Sequence, residues 1–333
     1  MALKIPVIVK DTVSEYKWYP FRREDIPAAH EMWIETERAD ENVSGNTLED
    51  AYTQFDDPWY DPDKDSLLAG TPEGEVAALG RIFMNPEPVD ALRAYLMGDV
   101  HPYHRGRGLG EYLFAWMQRR ARQRLHSVDA NLPRVMRTFC AAHLHDRIEL
   151  FERHGFQPVR YSFRMRRDLS QPIPVKSLPE GFELRPHSPE IDRAMWQAFN
   201  ESFQDHWSFE PVTESEWQMF FIQRSGFRPD LTFAVLEGTE LVGFSFNRVS
   251  PEENAREGIQ QGWISDLGVR RPWRKRGIAS ALICETLRAF RAEGLDYATL
   301  GVDAENPTGA LRLYESLGFV PVRQFITFEK EVE

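Results

Sequence analysis

Apolar positions along the chain switch repeatedly between a period of two and a period near 3.6. A short strand around Trp18 to Arg22 leads into Glu24-Asp25-Ile26-Pro27, whose acids and proline suit a helix start, and Ala28, Met32 and Trp33 follow at helical spacing. The polar span Asp40 to Asp65 reads as loop. Leu67 to Gly70 and Val76 to Phe83, joined by Thr-Pro-Glu-Gly-Glu, read as a hairpin, and Ala91 to Val100 as the next strand. That strand feeds His-Pro-Tyr-His-Arg-Gly-Arg-Gly-Leu-Gly and a helix from Leu109 to about Leu125.

The same order returns further along. Phe182 to Arg185 is again a first strand and Asp192 to Glu201 a helix. Thr232 to Leu236 and Leu241 to Val249 form a hairpin, followed by the strand Trp263 to Val269, a basic turn and a long amphipathic helix to Phe290. Arg105, Gly108 and Gly110 match Arg274, Gly277 and Ala279 at an offset of 169, and Gly155-Phe156 match Gly318-Phe319 at an offset of 163. Two matches in fixed order at nearly constant offset mean one duplicated domain rather than a solenoid. Strands alternating with helices predict an α/β (α+β) architecture, each half a mixed, largely antiparallel sheet flanked by helices. The expected layout is a tail over residues 1–16, a first domain over 17–167, a linker over 168–181 marked by Pro172, Pro174, Pro179 and Gly181, and a second domain over 182–333.

Composition narrows the partners. In 333 residues, 42% hydrophobic content suffices for two cores, and acids outnumber Lys plus Arg by 52 to 40. The net charge of −12 argues against general affinity for nucleic acid or an anionic membrane, and no apolar run is long enough to cross a bilayer. Cys140 and Cys284 read as buried free thiols of a reducing cytoplasm, the start has no signal-peptide core, and the expected location is cytoplasmic.

The basic turn carries the chemistry. After Val269 the chain runs through Arg270 and Arg271 to Arg274-Lys275-Arg276-Gly277-Ile278-Ala279-Ser280 and into the long helix. The first N–H groups of a helix lack intrahelical partners and sit at the positive end of its dipole, so this end suits a diphosphate. The arginines and Lys275 would offset phosphate charge.

The spacing Arg-x-x-Gly-x-Ala from Arg274, with Asn306 and Tyr314 in Asn-Pro-Thr-Gly-Ala-Leu-Arg-Leu-Tyr-Glu-Ser-Leu-Gly-Phe downstream, resembles the GNAT superfamily of N-acetyltransferases. The resemblance implies the GNAT fold twice in tandem, a layout similar to that of the mycothiol synthase family, with acetyl-CoA as cosubstrate and a primary amine of a small molecule or peptide as acceptor. It implies that Leu267, Gly268 and Val269 contact the cofactor by backbone where adjacent strands splay, and that Arg274 to Ser280 hold the diphosphate. Tyr314, on a helix expected to run from Asn306-Pro307 to Gly318, is implied as general acid for the leaving thiolate. Asn306 has two readings, a helix N-cap and a hydrogen bond to the cofactor.

The base stays open among three readings. Asp266 lies on the central strand, where alternation places it on the face of Ile264 and Gly268, opposite Val269. Glu201, Asp205 and His206 occupy the region where the family contacts its acceptor, and a water chain is the third reading. In the first half Val100, Arg105, Gly106, Arg107, Gly108, Leu109 and Gly110 form a possible second cofactor site, but Phe151 stands where Tyr314 does and His143 where Asn306 does, so catalysis is expected in the second half alone. Gly106-x-Gly108-x-Gly110 is not a dinucleotide fingerprint, because Glu111 follows, and His143-Leu-His145-Asp146 reads as solvated, so no metal is expected. A different class remains open: a non-catalytic acyl-CoA-binding or sensing protein. A monomer with a pseudo-twofold domain pair and a homodimer both fit.

Overall fold

The computed structural model describes residues 13–43, 45–85, 88–306 and 308–333. Two units emerge, one ending at Val159 and regaining Ile326–Glu333, the other running from Arg160 to Phe325.

In the first unit the elements are β1 (Lys17–Tyr19), α1 (Ile26–Ala39), α2 (Leu48–Phe55), β2 (Ser66–Gly70), β3 (Val76–Met84), β4 (Leu92–Val100), α3 (Leu109–Ser127), β5 (Arg134–Ala141) and α4 (His145–Arg153). Strands β1 to β4 pair antiparallel in sequence order, and β4 pairs parallel with β5. On one face α3 lies so close that a Cβ on Gly80 would stand 2.8 Å from Leu113 and one on Gly98 2.8 Å from Met117. Only glycine admits that approach. The other face is covered by α1, where Ile26, Ala29 and Met32 pack with Phe21, Leu68 and Leu79. Val13 and Tyr16, read as tail, are buried in the core, while residues 1–12 of that tail lie outside the described residues.

The second unit contains the rest of β6 (Gln157–Asp168), β7 (Phe182–Pro186), α5 (Asp192–Phe203), β8 (Phe233–Glu237), β9 (Glu240–Arg248), α6 (Pro251–Glu257), β10 (Gln261–Val269), α7 (Ile278–Ala292), β11 (Tyr297–Asp303), α8 (Ala310–Ser316) and the first half of β12 (Val320–Glu331). Its sheet order is β6-β11-β10-β9-β8-β7, with β10 and β11 the parallel pair. Ile283, Leu287 and Phe290 of α7 bury against Ile264, Ala298 and Leu300 on one face, and Phe199 of α5 packs with Trp217, Phe244 and Phe246 on the other.

The boundaries differ from those expected at 168–181. From Arg160 onward β6 is built into the second unit, pairing Ser162 to Asp168 with Asp303 to Tyr297 of β11. From Ile326 onward β12 is built into the first, beside β5, where Arg137 donates from Nε to Glu329 at 2.8 Å. Each half's closing strand therefore completes the other unit's sheet. The proline-marked segment is laid on the second unit, with Leu169 buried and Arg167 donating to the Pro172 carbonyl at 2.8 Å.

Candidate active site

Strand β10 opposes Trp263 to Arg248 and Ile264 to Asn247, and then opposes Asp266, not Ser265, to Phe246. Ser265 is an extra residue, a β-bulge. Opposed residues of an antiparallel pair share a face, so Asp266 lies with Phe246, Arg248 and Trp263 on the side covered by α5. Gly268 shares it, since a Cβ there would meet Phe244 at 2.5 Å. Ile264 points the other way, into the α7 core. The alternation that put Asp266 and Ile264 on one face is broken by the bulge.

Pairing of β10 with β11 stops at Ile264 and Leu300, although β11 continues to Asp303 and β10 to Val269. Beyond that point Leu267, Gly268 and Val269 pair only with β9, leaving the other edge of β10 open to an extended ligand. The basic turn begins there. Lys275 and Gly277 adopt left-handed backbone at φ 65° and 85°, and Ile278, Ala279 and Ser280 open α7. Left-handed residues interspersed this way turn successive N–H groups toward one side, an arrangement that holds anions. A Cβ on Gly277 would meet nothing within 4 Å, so its requirement for glycine is conformational rather than steric.

The turn's arginines are largely engaged within the protein. Arg270 donates to Glu201 at 2.7 Å and Glu240 at 2.9 Å. Arg274 reaches the Val269 carbonyl at 3.0 Å, Asp205 at 2.6 Å and the Ser202 carbonyl at 2.9 Å. Arg271 also pairs with Asp205, and Arg276 lies 3.6 Å from Glu237. Hydrogen bonds from Arg271 and Arg274 hold the Asp205 carboxyl well below the usual range. Glu201 and Asp205, read as acceptor contacts, thus clamp the turn to α5. What remains for a diphosphate is the backbone N–H array, the α7 dipole and Lys275, which has no ion pair among the described residues. His206 packs at a tilt against Phe203 with ring centroids 4.4 Å apart, and burial lowers its pKa, favouring the neutral ring.

Asp266 is half-buried, and desolvation pushes its carboxyl up to about 6 against the opposing charges of Arg224 and Arg248. Tyr314, buried on α8, has its hydroxyl pKa raised by burial first and then by the negative charge of Asp266. The helix carrying Tyr314 starts later than expected, at Ala310 behind Gly309, and Pro307 lies outside the described residues. Asn306 is not its N-cap: the side-chain oxygen accepts from the Thr308 N–H at 2.8 Å and hydroxyl at 2.6 Å, folding the loop.

The acetyltransferase (GNAT) family profile matches residues 27–156 and again 192–319. The chain belongs to that family. It is 34% identical over 239 residues to a mycothiol acetyltransferase of Thermobispora bispora, covering 70% of this chain and 74% of that one. To a mycothiol acetyltransferase of Acidothermus cellulolyticus it is 33% identical over 261 residues, covering 73% of each. A crystallised GCN5-related N-acetyltransferase from Sphaerobacter thermophilus superposes with a TM-score of 0.72 at 29% identity, over 95% of this chain and 96% of that one. A tandem GNAT protein of clavulanic acid biosynthesis shares the fold, with a TM-score of 0.71 at 14% identity over 95% and 98% of the two chains. The protein is a GNAT-family acetyltransferase built from two GNAT regions.

Both GNAT regions keep the turn. In the first, Gly106 and Gly108 are left-handed at φ 72° and 81°, Leu109 and Gly110 open α3, and Arg105 reaches the Val100 carbonyl at 3.2 Å and Asp40 at 2.6 Å, as Arg274 reaches Val269 and Asp205. Arg107 donates to the Tyr16 hydroxyl at 3.2 Å. The strand differs: β4 pairs with β3 in unbroken register and has no bulge, and Met97 stands at the offset of Asp266. Phe151, at the place of Tyr314, packs on Phe114 and Phe328 with centroids 5.1 and 5.5 Å away. His143, at the place of Asn306, hydrogen-bonds the Asp40 carbonyl at 2.8 Å.

Arg224 went unread in the sequence. It lies just past a five-residue π-helical segment, Gln218–Ile222, where no periodic signal marks it. The stretch is pinned along β9: Val249 N–H donates to the Gly226 carbonyl at 2.8 Å, and Phe227 bridges Arg248. Among the described residues Arg224 has no ion-pair partner, whereas Arg248 is paired with the buried Glu253 at 2.9 Å. No described helix is long and apolar enough to cross a membrane.

Proposed function

We propose that the second unit alone carries the reaction, with Asp266 as base and Tyr314 as acid. The observation carrying this reading is that the bulge in β10 sets Asp266 beside the strand's open edge, whereas β4 runs in unbroken register with Met97 and Phe151 at the places of Asp266 and Tyr314. Acetyl-CoA supplies an acetyl thioester, its diphosphate at the N–H array of Arg274 to Ser280 and its arm along Leu267 to Val269. Asn306, in the loop before α8, is the further cofactor contact of this reading. A carboxyl with a pKa near 6 is largely ionised at neutral pH and still basic enough to take a proton from the attacking amine. The Tyr314 hydroxyl, its pKa raised, keeps its proton until a thiolate needs one. N–H groups near Val269 face the thioester oxygen.

The acceptor is a primary amine of a small molecule, entering over the α5 face past His206 and Trp263. A mycothiol-type amine is the first acceptor to test, since the relatives carry that name. Acetyl-CoA-dependent thiol release, measured against amines with and without a thiol-bearing side arm, tests the reading. Turnover should be selective and should vanish in Asp266→Asn; a folded Asp266→Asn at wild-type speed would remove Asp266 from the chemistry. A soluble protein acting in the cytoplasm fits this substrate class.

A further inference from the structure

We infer that the protein takes one acetyl-CoA per chain, because Arg147 fills in the first unit the slot that the second unit keeps for the ligand arm. This rests on the placement of acetyl-CoA at the second unit's turn. In both units the parallel strand pair separates: pairing of β4 with β5 stops at Tyr95 and Arg137, while β4 runs on to Val100. The freed edge of β4 is where an extended arm would pair, and its acceptor there is the Gly98 carbonyl, at the offset of Leu267. Arg147 on α4 donates to that carbonyl at 3.2 Å. Its other nitrogen reaches Asp99 at 2.6 Å and Asp40 at 3.3 Å.

The side chain is held on every side. Asp40 is 6% exposed and also accepts from Arg105, so two guanidinium groups and two carboxylates balance within the slot. Burial opposes the charge of Arg147, and Asp99 and Asp40 more than offset it, so the guanidinium stays charged and in place. An entering arm would have to expel Arg147 and leave two carboxylates facing a ligand that is itself anionic.

In the second unit the matching positions are small. Counting back 163 from Ala310 gives Arg147, and 169 from Gly268 gives Asp99. Alanine and glycine bring neither bulk nor charge to the edge of β10. The first turn keeps its backbone N–H array yet lies behind a closed slot, so intact turn residues overstate its capacity to bind.

Calorimetric titration with acetyl-CoA on the full chain tests this. Wild type should bind one equivalent and Gly277→Glu none. The double variant Asp99→Gly, Arg147→Ala, which installs the second unit's residues, should bind two, and the triple variant with Gly277→Glu one. Two equivalents on wild type, with one kept by Gly277→Glu, would overturn the closed slot while leaving the second unit's site standing. A folded double variant still at one equivalent would overturn the role of Arg147. One equivalent on wild type that Gly277→Glu leaves intact would overturn the slot and the site reading together.

Discussion

Asp266 on β10 and Tyr314 on α8 are electrostatically joined: the carboxylate of the first raises the hydroxyl pKa of the second. Asp266 stands where β10 has parted from β11 after Ile264, and the bulge at Ser265 turns it toward the α5 side. One group gains basicity from desolvation and the other holds its proton more firmly. Both shifts run upward, which suits the base and acid roles proposed for the pair.

The pH profile reports this directly. With Asp266 active when ionised, kcat/KM should rise with pH through an acid limb near 6 and flatten above it. Arg224 favours the ionised form, so Arg224→Gln should move that limb to higher pH without changing the plateau's dependence on Tyr314. A limb unmoved in Arg224→Gln and in Asp266→Asn would show another group titrating.

Tyr314→Phe keeps the ring against Phe319 and deletes one donor. Loss of a general acid should lower kcat by roughly 10²-fold or more with the KM for acetyl-CoA nearly unchanged. Single-turnover kinetics separate this from slow product release. Undiminished chemistry would leave Tyr314 a core residue.

Asp205→Asn separates clamp from base. Asp205 ties Arg271 and Arg274 to the end of α5, so its loss should loosen the turn and raise the KM for acetyl-CoA by roughly tenfold while kcat stays near wild type. A collapse of kcat with KM unchanged would restore Asp205 to the chemistry.

Asp266→Asn should stabilise the protein as it inactivates it. A carboxyl raised from 3.8 to about 6 in the fold binds its proton more tightly there than in the unfolded chain, so folding stability falls as pH rises from about 4 to about 6. Asparagine has no such loss, and at neutral pH the variant should gain about 1 to 2 kcal/mol, after discounting for partial exposure. Thermal melts at pH 4 and pH 7 check the sign: the gain should be present at pH 7 and shrink at pH 4.

What the sequence by itself determined was local or repeated. The glycine at Gly277 follows from one backbone angle, the hairpins from short turns between apolar runs, and the duplication from matched residues at constant offset. Those signals act between residues close along the chain, so periodicity and turn chemistry register them. Tertiary structure alone decided the rest. A bulge at Ser265 depends on how β9 opposes β10, and it reversed the face relation between Asp266 and Ile264. Glu201 and Asp205 look like open carboxylates until the turn, some 70 residues later, brings arginines to them. Strands β6 and β12 stand at equivalent places in the repeat, and no local pattern says which sheet each one closes; long-range pairing assigns each to the other half. Arg147 reads as one more charge on a helix until β4 and β5 separate, and only there does it meet the Gly98 carbonyl and two carboxylates that make it part of the slot.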